Sequence, residues 1–228
     1  MATNDLKLLG GWFSPFAVRA QIALSIKGLD YENIVENLNS KSDLFLQSNP
    51  VYKKIPVLIH GDKAICESAI IVEYIDEVWK NNGTPSILPS NAYDRASARF
   101  WGAYIDDKLY NSLRNGLFAQ DIESKKKHFE ELAEVLLKLE DVLNKSSGGK
   151  DFFGGEKIGF VDIAFGCYLS WLRVKEKFTG EKAFDEAKTP SLVKWAEAFA
   201  TDPAVKGILP ETDKLVEYAL AMAAAIPK

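Results

Sequence analysis

The 228-residue sequence predicts an α/β domain followed by an all-helical domain. Strand and helix patterns alternate from about residue 4 to about residue 80, and the long patterns after them have helical spacing. Between the two regions, residues 81–91 combine one glycine and two prolines with mostly small polar residues, a composition typical of a linker. We therefore expect a first domain at 1–82, a linker at 83–91 and a second domain at 92–228.

The first domain is expected to have the element order βαβαββα. Strands are predicted at Leu6–Leu9, Tyr31–Val35, Ile55–Ile59 and Lys63–Cys66, and helices from Pro15, over Lys41–Gln47 and from Ser68. His60-Gly61-Asp62 is typical of a tight hairpin turn, so the sheet should begin with a parallel pair and end with an antiparallel one. This is the order of a thioredoxin-like domain.

The second domain is expected to consist of helices. One long helix is predicted over 92–115, and leucines at helical spacing around 132–143 mark the next one. Residues 160–174 are apolar almost all round, which predicts a single central, fully buried helix. We interpret Asp162 on this helix as a structural residue that accepts hydrogen bonds from N–H groups near Gly159.

Composition excludes several classes of partner. The net charge of −4 gives no basic surface for nucleic acid, and no apolar run is long enough to cross a bilayer. We do not expect the polar start of the chain to be a signal peptide. Two cysteines, Cys66 and Cys167, and two histidines occur without metal-ligand spacing, so we expect no metal site and a reducing, cytoplasmic location.

The segment after the first strand carries the clearest chemical signal. Gly10-Gly11 permits a turn, Ser14 falls where a helix N-cap belongs, and Pro15 suits the first helical position. A hydroxyl group and free N–H groups at the positive end of a helix dipole can hold an anion or a thiolate. The alternative is that Ser14 only caps the helix.

Four motifs in the correct order resemble a glutathione S-transferase of the plant tau class. They are Ser14-Pro15-Phe16, the run Asn-Pro-Val-Tyr-Lys-Lys-Ile-Pro-Val-Leu at 49–58, Glu-Ser-Ala-Ile-Ile at 67–71, and Gly-Phe-Val-Asp-Ile-Ala at 159–164. The resemblance covers essentially the whole chain. It implies that glutathione is the co-substrate, that its thiolate attacks hydrophobic electrophiles, that Ser14 stabilises the thiolate, and that the protein is a homodimer.

The resemblance also implies a set of glutathione-binding residues, which their chemistry supports. Ser68 is expected to cap its helix and to receive a carboxylate at the helix start, beside Glu67, which can pair with an ammonium group. Lys54 and, less securely, Lys41 are candidates for the glycyl carboxylate. The backbone of Ile55 should bind the cysteinyl part of the tripeptide like a strand, and Pro56 is a candidate for a cis bond to Ile55.

The electrophile is expected to bind among aromatic side chains from both domains. Tyr110 and Arg114 lie one turn apart on the long helix and carry polar tips, which suggests an open cleft. The full set of candidates is Trp12, Phe16, Tyr110, Arg114, Trp171 and Tyr218. Aromatic residues at helical spacing can equally be core residues.

Two other functions remain open. A non-catalytic carrier of hydrophobic ligands could use the same fold, because a fold does not determine a function. A glutathione-dependent peroxidase or thiol oxidoreductase is less well supported, since that chemistry favours a cysteine where this chain has Ser14. A serine hydrolase is weaker still, because no base accompanies Ser14 in the sequence.

Overall fold

A computed structural model describes residues 5–225 of the protein. The chain forms two compact units, the first ending at Leu88 and the second beginning at Pro89, so the division falls within the segment proposed as a linker. Within the described residues, no helix is long and apolar enough to span a membrane.

The first unit has the predicted order of strands and helices. Its strands are β1 (Leu6–Gly10), β2 (Glu32–Val35), β3 (Val57–His60) and β4 (Lys63–Cys66), and its helices are α1 (Pro15–Ile26), α2 (Asp43–Ser48) and α3 (Ser68–Val78). The strands lie in the order β2-β1-β3-β4, with β1 parallel to β2 and antiparallel to β3, and with β3 antiparallel to β4. The thioredoxin-like topology is confirmed.

Two elements in this unit begin two residues later than predicted, and the other differences in their bounds are of one residue. The third strand begins at Val57, two residues later than expected. The second helix begins at Asp43 because Ser42 is its N-cap, with its Oγ accepting a hydrogen bond of 3.1 Å from the N–H of Phe45.

Both faces of the sheet are covered. Leu8 and Leu9 are adjacent on β1 and both fully buried, although adjacent strand residues point to opposite faces. Leu9 packs with Phe45 of α2 and Val57 of β3, while α1 and α3 pack against each other. A strand that is buried on both faces has a nearly continuous apolar sequence, and the sequence of β1 is largely of this kind.

A buried ion pair fixes the end of the first unit. Lys27 Nζ lies 2.8 Å from an Asp76 carboxylate oxygen and donates to the carbonyl of Pro85 at 2.8 Å. Burial would raise the pKa of Asp76, but hydrogen bonds from the N–H groups of Ile87 and Leu88 and from Lys27 together hold this pKa below its ordinary value. The first half of the proposed linker is therefore bonded to the first unit.

The described part of the second unit is helical, as predicted. Its helices are α4 (Ala92–Tyr104), α5 (Tyr110–Phe118), α6 (Ile122–Ser146), α7 (Phe160–Gly166), α8 (Leu169–Thr179), α9 (Pro190–Thr201) and α10 (Thr212–Ala224). The predicted long helix is present but is not a uniform α-helix. A π-helical segment at Ile105–Leu109 joins α4 to α5, with the N–H of Tyr110 bonded to the carbonyl of Ile105.

The prediction of one fully buried helix over 160–174 is right about burial except at Arg173, which is exposed, and wrong about continuity. Every residue from Phe160 to Leu172 is buried, but the helix is interrupted at Cys167 and Tyr168. There the N–H of Tyr168 bonds to the carbonyl of Phe165, which tightens the turn and separates α7 from α8. Hydropathy does not register such a break, because the residues on both sides of it are buried.

Asp162 is structural, as predicted, at the start of α7. Its carboxylate accepts hydrogen bonds from the backbone N–H groups of Gly159 at 2.9 Å and Phe153 at 3.0 Å, and from Trp195 Nε1 at 2.9 Å. Since Gly159 has no side chain, only the half of a capping box made by Asp162 can form. Complete burial raises the pKa of Asp162 to about 6, against the opposing effect of these three donors.

Replacing Asp162 with Asn should destabilise the protein more at low pH than at neutral pH. An amide cannot accept from all three donors, and leaving one unsatisfied costs about 1–3 kcal/mol. The pKa of about 6 in the folded state lies above the unfolded value, so the aspartic acid stabilises the fold at low pH and this contribution is lost as the pH rises through 6. The stability advantage of the wild type over Asp162→Asn should fall by about 2 kcal/mol between about pH 4 and about pH 7.

Urea unfolding of both proteins across this range is the measurement. Asp151→Asn, at an exposed carboxylate nearby, is the control and should change the stability little at either pH. A stability difference between wild type and Asp162→Asn that stays constant with pH would contradict the raised pKa.

Candidate active site

Strand pairing brings the predicted glutathione-binding segments to one end of the sheet. Leu9 near the end of β1 pairs with Val57 at the start of β3, and Val57 pairs with Cys66 at the end of β4. The turn after β1, the chain before β3 and the turn after β4 therefore lie side by side. β2 is parallel to β1, so the loop after β2 leaves from the same end.

Ser14 is the N-cap of α1, as predicted. Its Oγ accepts a hydrogen bond of 3.3 Å from the N–H of Ala17, and the residue is only 5% exposed. Within the described residues no hydrogen bond uses the hydroxyl proton, which leaves that proton able to donate. A hydroxyl donor consequently sits at the positive end of the α1 dipole.

The turn that carries Ser14 packs closely against Ile55. A Cβ added to Gly11 would lie 3.0 Å from Ile55 Cδ1 and 3.0 Å from the ring of Phe13, so a side chain here would require its neighbours to move. The Ile55–Pro56 peptide bond is cis, as the sequence suggested, and Pro56 is buried. Glycine at position 11 thus allows the two segments to approach each other.

The junction before α3 differs from the prediction. Glu67, not Ser68, is at the N-cap position, and its side chain forms no capping hydrogen bond, so the prediction that Ser68 caps the helix is wrong. Ser68 is the first helical residue and is buried. Glu67 is exposed and has a φ of 68°, which is costly for a residue with a side chain and is found most often at functional sites.

Arg19 is a site residue that sequence reasoning missed. It is 2% exposed, its Nη1 donates to Ser68 Oγ at 3.4 Å, and its guanidinium carbon lies 5.3 Å from the centre of the Phe16 ring. It therefore connects α1 to the start of α3. The available signal was an arginine next to Val18, on the side of the helix predicted to be buried.

The two candidate lysines lie near each other at the same end of the sheet. Lys41 Nζ donates to the backbone carbonyl of Lys53 at 3.2 Å, which brings it next to the segment that carries Lys54. Buried Asn49 holds this segment by donating from Nδ2 to the carbonyl of Lys54 at 2.8 Å. Both lysines are exposed, so their ammonium groups are accessible to an anion.

The candidate aromatic residues fall into two groups, one in each unit. In the first unit Trp12 is exposed and Phe16 is half-buried. In the second unit the Tyr110 ring lies 5.9 Å from that of Tyr168, and the Trp171 ring lies 6.4 Å from that of Tyr218.

Burial distinguishes the candidates of the second unit. Trp171 is buried, Tyr110 is half-buried, and Arg114 is exposed one turn after Tyr110. Burial also raises the pKa of Tyr218. Tyr168, whose hydroxyl donates to Asp106 at 3.0 Å, is a member of this aromatic group that the sequence analysis did not include.

The end of the sheet combines donors and acceptors suited to a zwitterionic peptide with a thiol. It offers a hydroxyl donor at one helix start, a carboxylate beside a second helix start, and two ammonium groups. Among residues 5–225, no group of three or more His, Cys, Asp or Glu side chains is placed to hold a metal ion.

Comparisons with known proteins identify the class to which this fold and site belong. The family model "Glutathione S-transferase, N-terminal domain" matches residues 4–77, and "Glutathione S-transferase, C-terminal domain" matches residues 93–203. The chain belongs to the glutathione S-transferase family, and glutathione is its co-substrate.

Its relatives place it in the tau class. Glutathione S-transferase U17 of Arabidopsis thaliana is 56% identical over 219 residues, which is 96% of each chain. The crystal structure of a tau class glutathione S-transferase from mango matches with a TM-score of 0.91 and 59% identity, over 96% of this chain and 98% of that one. A rice glutathione transferase solved in complex with glutathione matches with a TM-score of 0.90 and 35% identity over the whole of both chains.

Replacing Arg19 with Lys should weaken glutathione binding more than it slows turnover. Lysine keeps the charge but loses the guanidinium that reaches Ser68, and a lost hydrogen bond of this kind is worth about 0.5–1.5 kcal/mol. We expect KM for glutathione to rise about twofold to tenfold and kcat to change little. Arg173→Lys, at an exposed arginine of the second unit, is the control. A fall in kcat with KM unchanged would contradict a positioning role for Arg19.

Proposed function

We propose that the protein transfers glutathione to hydrophobic electrophiles, with the Ser14 hydroxyl donating a hydrogen bond to the glutathione thiolate. The observation that carries this proposal is the geometry at the start of α1. Ser14 Oγ accepts from the N–H of Ala17, which fixes the position of the oxygen and leaves the hydroxyl proton able to donate. A buried donor at a helix N-terminus favours a negatively charged partner.

Stabilising the thiolate is the main chemical requirement of the reaction. A free cysteine thiol has a pKa of about 8.5 and is mostly protonated near neutral pH, and each unit by which its pKa falls takes about 1.4 kcal/mol of preferential binding of the anion. One charge-assisted hydrogen bond together with the helix dipole is sufficient for one to two such units. The thiolate then attacks the electrophile, a thioether bond forms, and the leaving group departs with the electron pair.

Contacts to the two ends of the tripeptide orient glutathione in the proposed site. The γ-glutamyl end carries an ammonium and a carboxylate side by side, which Glu67 and the start of α3 at Ser68 can receive. Lys54 and Lys41 pair with the glycyl carboxylate, and the Ile55 backbone bonds the cysteinyl part next to Pro56. Arg19 acts through Ser68 as a positioning residue.

In the same proposal the two domains divide the substrates between them. The domain at 1–82 binds glutathione, residues 83–91 are the linker, and the domain at 92–228 supplies most of the electrophile site. Trp12 and Phe16 from the first domain, with Tyr110, Arg114, Trp171 and Tyr218 from the second, are the proposed contacts. Proximity of the two bound reactants adds to the effect of the activated thiolate.

The environment of Cys66 argues against thiol oxidoreductase chemistry. Burial and the charge of Glu67 both raise the pKa of the Cys66 thiol, and its Sγ donates to the carbonyl of Ser48 at 3.5 Å. A redox-active cysteine requires the opposite, a lowered pKa. The N-cap of the first helix is Ser14 and not a cysteine, so the hydroxyl chemistry of a transferase is better supported.

Replacing Ser14 with Ala should slow conjugation and raise the pKa of the bound thiol. Loss of one donor to an anion in a buried site costs about 1.5–3 kcal/mol, so kcat should fall about 10- to 100-fold at neutral pH. The apparent pKa in the pH profile of kcat should move up toward that of free thiol. The measurement is conjugation of glutathione to 1-chloro-2,4-dinitrobenzene from about pH 6 to about pH 9.

The control separates catalysis from helix capping. Asn91 caps α4 through its side chain, so Asn91→Ala removes an N-cap that the proposal does not involve in binding. Both variants should lose about 1 kcal/mol of stability, but only Ser14→Ala should change the pH profile. An unchanged profile together with tight ligand binding would favour the non-catalytic carrier.

We also propose that the protein is a cytoplasmic homodimer. Large apolar side chains are exposed in each unit, among them Val51, Tyr52, Tyr93 and Phe100, and exposed apolar patches mark interaction surfaces. Both cysteines are free thiols, which is compatible with a reducing compartment.

Sedimentation should give a mass of about twice 25.4 kDa for the wild type, because isologous dimers are the commonest symmetric assembly. Tyr52→Glu should shift the population toward monomer, since it adds a charge to an exposed apolar surface. Ile122→Glu, at an isolated exposed position on α6, should leave the mass unchanged. A monomeric wild type at micromolar concentration would contradict the proposed dimer.

A further inference from the structure

A cavity of the second unit lies apart from every proposed catalytic and substrate-binding residue. It is formed by α6, α8 and the segment 181–189, and its volume is about 520 Å³. This is within the range of about 300–1,000 Å³ that is usual for small-molecule sites. None of the residues that line it belongs to the site described above.

One wall of the cavity is apolar and open to solvent. Phe129, Leu132, Leu136 and Leu137 of α6 line it. Leu132 and Leu136 are core residues, but Leu137 is 47% exposed and adds apolar surface that the core of the unit does not cover. A hydrocarbon or an aromatic ring packed here would remove that surface from water.

A buried ammonium group lies at the cavity. The Lys175 side chain is only 7% exposed, and its Nζ donates to the backbone carbonyl of Glu181 at 3.2 Å. Its carboxylate partner within residues 5–225 is Glu181, at 3.6 Å, and that side chain is 78% exposed. The Phe129 ring also faces Lys175 Nζ, with its centre at 5.7 Å. A buried cation needs a well-placed counter-charge, and a neutral ring with a solvated carboxylate at 3.6 Å supplies only part of it.

The charges around the cavity favour an anion. Three lysines, Lys175, Lys182 and Lys188, line it against two carboxylates, Glu181 and Asp185, in a chain with a net charge of −4. Across the described part of the chain, Lys182 and Lys188 form no ion pair. Asp185 Oδ1 already accepts from the backbone N–H groups of Ala187 and Lys188 at 2.7 and 3.1 Å, so that oxygen is engaged within its own turn.

The wall opposite α6 is held in place. The N–H of Ala183 donates to Glu176 Oε1 at 2.7 Å, and the N–H of Asp185 donates to Thr189 Oγ1 at 2.9 Å. The first bond ties the segment 181–189 to α8 and the second closes a turn within the segment, so the cavity exists before a ligand arrives. A preformed site avoids the entropic cost of ordering a loop on binding.

We propose that this cavity binds an amphipathic organic carboxylate. The ligand carboxylate replaces the Glu181 side chain on Lys175 Nζ, and the apolar body of the ligand lies along Phe129, Leu136 and Leu137. Lys182 and Lys188 attract the anion to the mouth of the cavity. Binding here is non-covalent and does not require glutathione.

Calorimetric titration with decanoate tests the proposal, with 1-decanol as the uncharged ligand of equal chain length. A saturating S-alkyl glutathione is present throughout and occupies the proposed active site. Decanoate should bind with one-to-one stoichiometry and at least about tenfold more tightly than decanol, because it pairs with a buried cation. Equal affinities, no binding, or decanoate binding that occurs only when the S-alkyl glutathione is omitted would each overturn the proposal.

Two variants at exposed positions make the test independent of folding defects. Glu181→Gln removes the competing carboxylate and should strengthen decanoate binding about twofold to fivefold. This is the change in affinity that corresponds to the free energy of a solvent-exposed ion pair. Leu137→Glu should weaken binding at least about tenfold, because it places a charge on the apolar wall. Weaker binding by Glu181→Gln, or unchanged binding by either variant, would contradict the assigned geometry.

Lys175→Met provides the direct test of the cation. Methionine keeps much of the buried stem and removes the charge, so decanoate affinity should fall about tenfold or more while decanol affinity stays the same. Lys127→Met and Ile122→Glu, at exposed positions of α6 outside the cavity, are the matched controls and should bind decanoate like the wild type. An unchanged decanoate affinity in a folded Lys175→Met protein would overturn the proposal.

Discussion

The antiparallel pairing of β3 with both of its neighbours is the constraint on which the glutathione site depends. Because Val57 pairs with Leu9 on one side and with Cys66 on the other, three chain segments that are distant in sequence meet at one end of the sheet. A slip of one residue in either pairing would turn every side chain of a strand to the opposite face. Burial on both faces of the sheet prevents this slip. The hydrophobic core of the first unit therefore also determines the positions of Ser14, Ile55 and Ser68.

The sequence was sufficient for the architecture because local and global signals agreed. Gly10-Gly11, Ser14 and Pro15 are a turn, a cap and a helix start in the correct order, and the structure has each of them. Asp162 could be recognised as structural because a solvated carboxylate does not occur on an all-apolar helix. The family resemblance then supplied the candidate residues for glutathione binding, which no spacing rule could have identified individually.

The features that escaped prediction depend on three-dimensional packing. The role of Arg19 requires knowing that α1 and α3 lie against each other, and the conformation of Glu67 at a positive φ is not encoded by its residue type. The π-helical segment before Tyr110 is a further example. An extra residue in a helical turn rotates the rest of the helix by about 100°, so the face on which Tyr110 and Arg114 lie cannot be extrapolated from α4. The break between α7 and α8 was hidden because the residues that flank it on both sides are buried.

The ion pair between Lys27 and Asp76 has a practical consequence for dividing the protein. A fragment cut at residue 82, where composition alone would end the first domain, would strip the Asp76 carboxylate of its two backbone N–H donors at Ile87 and Leu88. It would also take the Pro85 carbonyl away from Lys27. Two charges buried in the intact chain would then lose partners in a single truncation. An excised first domain should accordingly keep its chain through Leu88. Those last residues form no helix or strand, but their backbone groups are the hydrogen-bond partners of its two buried charges.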